Sequence, residues 1–449
     1  MRKHIQDKDW LYTFLKVFVD WSVRSSYSKY QVEGADNIPQ DGSVIWAANH
    51  TNALMDPMVL LSTSRGRKVF VARADIFKKK TARKILSFLR VMPIYRIRDG
   101  IDAVKHNDEA ISQATGVIMD GIPFVIYPEA THRPKHSLLK LSKGIFHIAE
   151  SAIEKSDGSK NVYILPIGIE YSDYFRFRSK VLINFGKPIN ISEFMQSHSE
   201  EPQPVVMQQL RQILTERMAE QIIYIPDDED YDAIWEYTKL KSDNPEYFRK
   251  ALKEIENKEG RKLKGLMRNL AVGRYAVAEA LALKQDNPEK AAELFKKVDQ
   301  LRVWRIQNGL SVYAIANERS LIRILLEILV ALLGLPYYAF SAVVGCIKWI
   351  PLALILRTIK DDAFYNTARY GTRLALAIPA AIIWALVYFL IFNWQLATIL
   401  FLLSLPSFKY LFDYGTYFRR LCSDIRWKFK KRKAPCIKEL LARLYNNPE

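Results

Sequence analysis

A chain of 449 residues is long enough for two or three domains with a sizeable core, which excludes a small stapled scaffold. Sixty-six Lys+Arg against 48 Asp+Glu leave a formal charge of +18 at pH 7, so the expected partners are anionic: nucleic acid, anionic lipid or a phosphorylated small molecule. The three cysteines, Cys346, Cys422 and Cys436, lack CxxC spacing, which argues against a zinc site or a disulfide framework and for a reducing compartment.

Residues 1–9 are polar and no cleavage site follows the next apolar stretch, so no signal peptide is expected. That stretch, 10–27, sets Trp10, Leu11, Phe14, Leu15, Phe18 and Val19 at helical spacing, interrupted by Lys16, Asp20 and Arg24. It is too short and too charged to span a bilayer, which takes about 20 apolar residues. Aromatics on one face of a cationic helix suit a membrane interface, although a core-packing helix carries the same pattern. An N-terminal amphipathic interfacial helix is therefore expected within 1–29.

From 30 to 191 short apolar runs alternate with helical stretches. Strands are expected at 43–48, 68–72, 92–97, 123–127, 162–169 and 181–185, and helices at 53–64, 81–89, 101–119 and 143–152. The alternation predicts an α/β domain, a layered mixed sheet with flanking helices. Pro166 is expected to confine its strand to an edge or a bulge. Residues 192–319 read as a charged helical domain, with segments such as 246–270 and 288–301.

The region 320–412 reads as C-terminal transmembrane helices. Residues 324–356 are apolar except for Glu327 and Lys348, fitting a tilted span plus an interfacial piece, or a hairpin turning near Gly334-Leu335-Pro336. A second apolar region, 374–392 and then 396–405, turns at a hairpin tip, Phe392-Asn393-Trp394. Arg357, Lys360, Arg369 and Arg373, and the basic tail 413–449 with Lys428, Lys430, Lys431, Arg432 and Lys433, belong on the cytoplasmic side. An even number of crossings satisfies both.

Four stretches carry chemistry. His50 follows a strand and precedes a helix, where α/β enzymes place reactive side chains. A histidine needs an acid to fix its tautomer and raise its basicity, and Asp56 is the nearby candidate. By itself the pair also reads as an ordinary satisfied loop contact. Met92-Pro93-Ile94-Tyr95-Arg96 ends a strand on a guanidinium, with Arg98 two residues on; such a group grips phosphate bidentately or lies solvated at the surface. The run from Phe124 through Tyr127-Pro128-Glu129-Ala130-Thr131-His132-Arg133 ends a strand with an acid, a hydroxyl and a cation. The fourth, Ile164-Leu165-Pro166-Ile167-Gly168-Ile169, is a buried strand holding a proline. Lys78-Lys79-Lys80 suits phosphates or a solvated helix end and is not read as a site. His132 and His136 straddle Pro134, which argues against a metal there, and no G-x-S-x-G elbow occurs.

In this order the blocks Asn49-His50…Asp56, Pro93-Ile94-Tyr95-Arg96, Tyr127-Pro128-Glu129-Ala130-Thr131 and Leu165-Pro166 resemble the glycerol-phosphate acyltransferase superfamily over about residues 30–190. The chain departs from that pattern in three places. Five residues, not four, separate His50 from Asp56; Ala130 stands for a glycine; and His132 stands for an arginine, with Arg133 beside it. The longer spacing and the Asn-x-x-x-Asp-Pro ending resemble the yeast-type enzymes that accept glycerol 3-phosphate and dihydroxyacetone phosphate.

The resemblance implies a membrane-bound O-acyltransferase of phospholipid synthesis, with His50 as general base and Asp56 as its orienter. It implies Arg96, or its rival Arg98, on the acceptor phosphate, and Glu129 on an acceptor hydroxyl or orienting a phosphate-binding neighbour. Thr131 and Arg133 would line the same pocket, and Pro166 would shape the acyl side. No metal or cofactor is implied; the donor thioester, acyl-CoA or acyl-carrier protein, is a co-substrate. Expected partners are that thioester, a glycerol phosphate or lysophospholipid acceptor, and a bilayer with anionic lipids. Nucleic acid is not expected, because membrane segments and basic flanks account for the charge. The catalytic domain would face the cytoplasm, at a bacterial inner membrane or the endoplasmic reticulum. The alternatives are acylation of lysophosphatidic acid and an inactive lipid-binding scaffold.

Overall fold

The computed structural model describes residues 4–95, 101–435 and 437–445. Two compact units divide the chain, Met1–Ile222 and Ile223–Glu449.

The first unit runs α1 (Trp10–Ser26), β1 (Lys29–Glu33), β2 (Gly42–Ala48), α2 (Met55–Leu61), β3 (Val69–Arg73), α3 (Lys80–Phe88), β4 (Val91–Ile94), α4 (Ile101–Met119), β5 (Phe124–Ile126), α5 (Gly144–Ser156), β6 (Asn161–Tyr171), β7 (Lys180–Phe185), β8 (Ile189–Asn190), α6 (Ile191–Ser197) and α7 (Gln203–Ala219). The strands form one sheet in the order β1-β7-β6-β2-β5-β3-β4, with β8 also on β6. From β6 to β4 every pairing is parallel, whereas β7 and β8 run antiparallel to β6. The expected mixed sheet is present. Its middle strand β2 is buried along almost its whole length, as a parallel strand covered on both faces requires.

Strand residues Ile45, Ala47, Phe124, Ile126, Val162 and Ile164 share one core with α4, α5 and α7. On α7 the buried residues Val206, Leu210, Leu214 and Met218 recur every fourth position and make one apolar face. That face belongs to the sheet's core, so the first unit extends to Ile222, beyond the border expected at 191. Two strands have no counterpart in the sequence reading. β1 is half-exposed with a polar pattern, and β8 has only two residues.

The expectation for Pro166 is corrected: β6 lies inside the sheet, between β2 and β7. Pro166 falls where the partner on one side changes, after Ile164 pairs with β8 and before Ile167 pairs with β7. Its carbonyl accepts from Gly186 N (2.9 Å) on that side, so the missing N–H faces the seam between two partners and no ladder bond is lost.

The described residues of the second unit are helical: α8 (Tyr231–Asp243), α9 (Pro245–Glu259), α10 (Leu266–Asp286), α11 (Pro288–Gln307), α12 (Val312–Ala316), α13 (Leu321–Thr358), α14 (Tyr365–Ala375), α15 (Ala377–Ile391), α16 (Trp394–Ser404), α17 (Ser407–Lys430) and α18 (Ile437–Tyr445). Asn244-Pro245 and Asn287-Pro288 open α9 and α11, the asparagine capping and the proline at the first helical position. The helical segment read across 246–270 is two helices, because Gly260 takes a left-handed φ of 65° and closes α9.

The hairpin considered near Gly334-Leu335-Pro336 is not formed. α13 is one helix of 38 residues with Pro336 and Pro351 inside it, about 57 Å long at 1.5 Å per residue. Tyrosines of α17 hold it, donating to backbone carbonyls of α13: Tyr417 to Glu327 O (2.8 Å), Tyr414 to Ala331 O (2.7 Å) and Tyr410 to Gly334 O (3.0 Å). Gly334 permits the approach, since a Cβ there would lie 2.7 Å from the Tyr410 hydroxyl. α13 is long and apolar enough to cross a membrane; α14–α15 and α16–α17, bent by 47° and 51°, pass the same test only as pairs. Between α15 and α16 the chain turns at the expected tip, where Asn393 accepts from Leu396 N (2.9 Å).

Candidate active site

The carboxyl ends of β2, β5 and β6 converge because these strands are parallel neighbours, and a sheet of this kind offers its crevice at that edge. The chain leaves β2 at Ala48. Asn49 then continues the ladder with its side chain: its Oδ1 accepts from Ile169 N (2.7 Å) and its Nδ2 donates to Ile169 O (3.1 Å). His50 follows, its backbone held from the β5 side. Its N–H donates to Glu129 Oε1 (2.9 Å) and its carbonyl accepts from Arg133 N (2.9 Å).

Between His50 and Asp56 the chain makes a turn with Ala53 in a left-handed conformation, φ 40°. The turn brings Asp56, in the first turn of α2, back under His50. Asp56 Oδ2 lies 2.7 Å from His50 Nδ1 and accepts from Thr51 N and Asn52 N, both at 2.7 Å. Oδ1 accepts from the Tyr171 hydroxyl at 2.8 Å. Asp56 is fully buried, and two of these four partners, the backbone N–H groups, can only donate to the same oxygen that meets His50, which suits a carboxylate. His50 Nδ1 therefore carries the proton, and Nε2 keeps the lone pair a base needs. The His50 side chain is 19% exposed, against none for Asp56, so the imidazole is accessible while the carboxylate is sealed.

The Tyr127 ring stacks on His50 at 4.3 Å, and His132 meets it edge-on at 5.6 Å. Burial, with the Asp56 charge added, pushes the Tyr127 phenol well above its ordinary range. Glu129 is buried with both oxygens engaged by backbone, Oε1 by His50 N and Oε2 by Leu139 N (2.8 Å). Burial raises its pKa, and those two bonds pull the other way. Glu129 thus joins the His50 turn to the loop after β5. In that loop Ala130, standing for a glycine, takes the left-handed φ of 59° that glycine adopts freely.

The remaining expected residues divide. The Arg133 guanidinium bonds Ser137 Oγ (2.7 Å) within the same loop, and Thr131 is exposed. Pro166 pairs with Ala47 inside the sheet, not at its carboxyl edge. Arg96 and Arg98 lie outside the described residues. Sequence reasoning missed Tyr171, whose only signal was a polar-tipped aromatic just past an expected strand.

The far end of α2 is also gripped. Lys16 Nζ and Lys68 Nζ both donate to Leu61 O, at 3.1 and 3.2 Å, and Arg24 donates to Ser62 O (2.6 Å), cations placed where a helix ends in bare carbonyls.

A buried carboxylate orienting an accessible imidazole is the arrangement of a general base, and the family model described as Acyltransferase matches residues 29–170. Residues 29–170 are similar to that family. The stretch contains the blocks at His50, Pro93, Glu129 and Pro166 on which the resemblance rests. The matched stretch runs from β1 into the last residues of β6 and so contains His50, Asp56 and Glu129; α6, α7 and the second unit lie beyond it. Among solved structures the chain is similar to the 1-acyl-sn-glycerophosphate acyltransferase PlsC of Thermotoga maritima, with 18% identity and a TM-score of 0.34 over 48% of this chain and 83% of that one. No curated protein matches it.

Proposed function

We propose that this protein is a membrane-bound O-acyltransferase that moves a fatty acyl group from an acyl thioester to the hydroxyl of glycerol 3-phosphate or dihydroxyacetone phosphate. The observation that carries the reading is the His50–Asp56 pair, with Nδ1 held at 2.7 Å by a buried carboxylate. His50 Nε2 takes the proton of the acceptor hydroxyl as its oxygen attacks the thioester carbonyl. The C–S bond then breaks and the imidazolium returns the proton to the leaving thiolate, giving an ester and a thiol. The acyl group passes directly, since the reading needs no acyl-enzyme, and the thioester itself supplies the activation, so no cofactor is invoked. Arg96 or Arg98 would hold the acceptor phosphate, with Thr131 and Arg133 lining the pocket and Pro166 shaping the acyl side. The longer His50-to-Asp56 spacing, folded as the Ala53 turn, favours the first acylation over acylation of lysophosphatidic acid.

The apolar α13 anchors the chain, α1 lies at the interface, and anionic lipids meet the basic flanks. In this reading the catalytic domain faces the cytoplasm, so a single crossing by α13 puts the basic loop after it on the far side, against the Lys/Arg bias. The test incubates purified full-length protein with labelled acyl-CoA, or acyl-carrier protein, and each of glycerol 3-phosphate, dihydroxyacetone phosphate and lysophosphatidic acid, beside His50→Ala. Acylation of either small acceptor, lost in His50→Ala, is expected. Acylation of lysophosphatidic acid alone transfers the assignment to the second step, no product with any acceptor leaves the scaffold reading, and full activity of His50→Ala removes the mechanism.

A further inference from the structure

The end of β6 and the loop after it touch the catalytic turn three times. Ile169 pairs with the Asn49 side chain, Tyr171 with Asp56, and the Tyr174 carbonyl accepts from Asn52 Nδ2 (2.8 Å). Two of these anchor the turn as a whole; the Tyr171 hydroxyl touches the carboxylate. Of the donors to Asp56, two are backbone N–H groups of the turn itself and one is His50. Tyr171 is the remaining one, and the partner of Oδ1.

We propose that Tyr171 is a positioning residue for the acyl-transfer base: its hydroxyl holds the Asp56 carboxylate in the plane from which the other oxygen orients His50, and tempers the charge that His50 feels. The inference rests on the reading of His50 as general base. Tyr171 is 2% exposed, its ring set between Tyr27 (6.0 Å) and Tyr174 (6.1 Å), so the hydroxyl has a defined direction. Burial first, and the Asp56 charge second, keep the phenol protonated far above neutral pH, so it serves as a permanent donor.

A donor on Oδ1 draws charge from the carboxylate. Without it Asp56 accepts more strongly from His50 Nδ1–H, the imidazolium is favoured, and His50 stays protonated to higher pH. The other titratable groups around the pair are Tyr127 stacked on His50, His132 at its edge, Glu129 on its backbone N–H, and Tyr27 against Tyr171. None of these changes when only the Tyr171 hydroxyl is removed.

The experiment compares Tyr171→Phe with Tyr30→Phe in the full-length protein. Tyr30 donates to Val59 O (2.7 Å), so its loss removes a tyrosine hydroxyl from the same helix α2 without touching Asp56. For Tyr171→Phe, kcat is expected to fall about ten- to a hundredfold, as when an outer partner of a working group is lost. The acidic limb of kcat/KM against pH moves up by about one unit, and KM for donor and acceptor stays put. Tyr30→Phe keeps the wild-type limb. A Tyr171→Phe profile that coincides with wild type overturns the proposal, as does a loss of kcat with an unmoved limb, which marks a structural role. Tyr171→Met, which fills the site without a hydroxyl donor, serves if Tyr171→Phe does not fold: a limb displaced to higher pH supports the proposal, and an unmoved one overturns it. His50→Ala, run beside them, separates the two readings. If it keeps full activity the general-base reading itself fails, whereas an inactive His50→Ala with an unaltered Tyr171→Phe defeats the positioning role alone.

Discussion

Glu129, expected on an acceptor hydroxyl or orienting a phosphate-binding neighbour, has both carboxylate oxygens engaged by backbone. One accepts the N–H of His50 and the other that of Leu139, 79 and 10 residues away. Glu129→Gln keeps the shape but points an NH2 at one of those donors, leaving a buried backbone N–H unsatisfied at a cost of about 1–3 kcal/mol. A melting temperature several degrees lower is expected, together with a lower kcat, because the displaced loop carries the backbone that sets the His50 ring. Thermal unfolding and turnover measured on the same preparation check this. A lower melting temperature with unchanged turnover would separate the brace from the base. The His–Asp pairing was legible at this scale because six positions is a distance one turn can close. The carboxylate's other partner was not: Tyr171 lies 115 residues away, and no local pattern reports it.

Helix α2 is the element on which the site turns. Asp56 is fastened at one end, and the carbonyls of Leu61 and Ser62 receive Lys16, Lys68 and Arg24 at the other. Two ammonium groups on one carbonyl repel, and Lys68 is also sealed from water. Burial, with the Lys16 charge, pushes Lys68 down from 10.5 to about 7. Between those values the unfolded chain binds a proton that the folded protein has released, so stability rises with pH across that window. Lys68→Met removes the titration. Melting temperatures followed from pH 7 to 9.5 are expected to rise less in the variant than in the wild type, and equal slopes would refute the assignment. Elements with strong periodicity were legible in sequence, as α4 and the strands β2, β6 and β7 show. The edge strand β1 was not, since half-exposed polar residues leave no alternation to read, and the continuity of α13 through Pro336 depends on tyrosines some 75–90 residues further on.

For the whole molecule, the charge of +18 and the long apolar helix α13 are the two features on which the proposed membrane association rests. Exposed Leu325, Leu329, Leu332 and Leu333 on α13, and Leu386, Phe389 and Leu390 on α15, are apolar surface of the kind that marks a membrane or partner contact. If α13 spans, the protein stays in the membrane pellet after an alkaline carbonate wash, which strips proteins held by charge or by an interfacial helix. Release into the supernatant would show that α13 does not span.

The sequence by itself determined what short-range spacing encodes: the strand-to-helix turn at His50, the six-position step to Asp56, the alternation that makes a layered sheet, the apolar stretches and the tip at Asn393. Only the tertiary structure decided which distant groups meet. Asn49 with Ile169, Asp56 with Tyr171 and His50 with Glu129 all follow from one fact, that β2 lies between β5 and β6. Strand order rests on the burial of whole faces, a property of the assembled sheet that no single window of residues contains. The His50–Asp56 pair was therefore readable as a pair, and took a fixed direction only when β5 and β6 closed on either side of it.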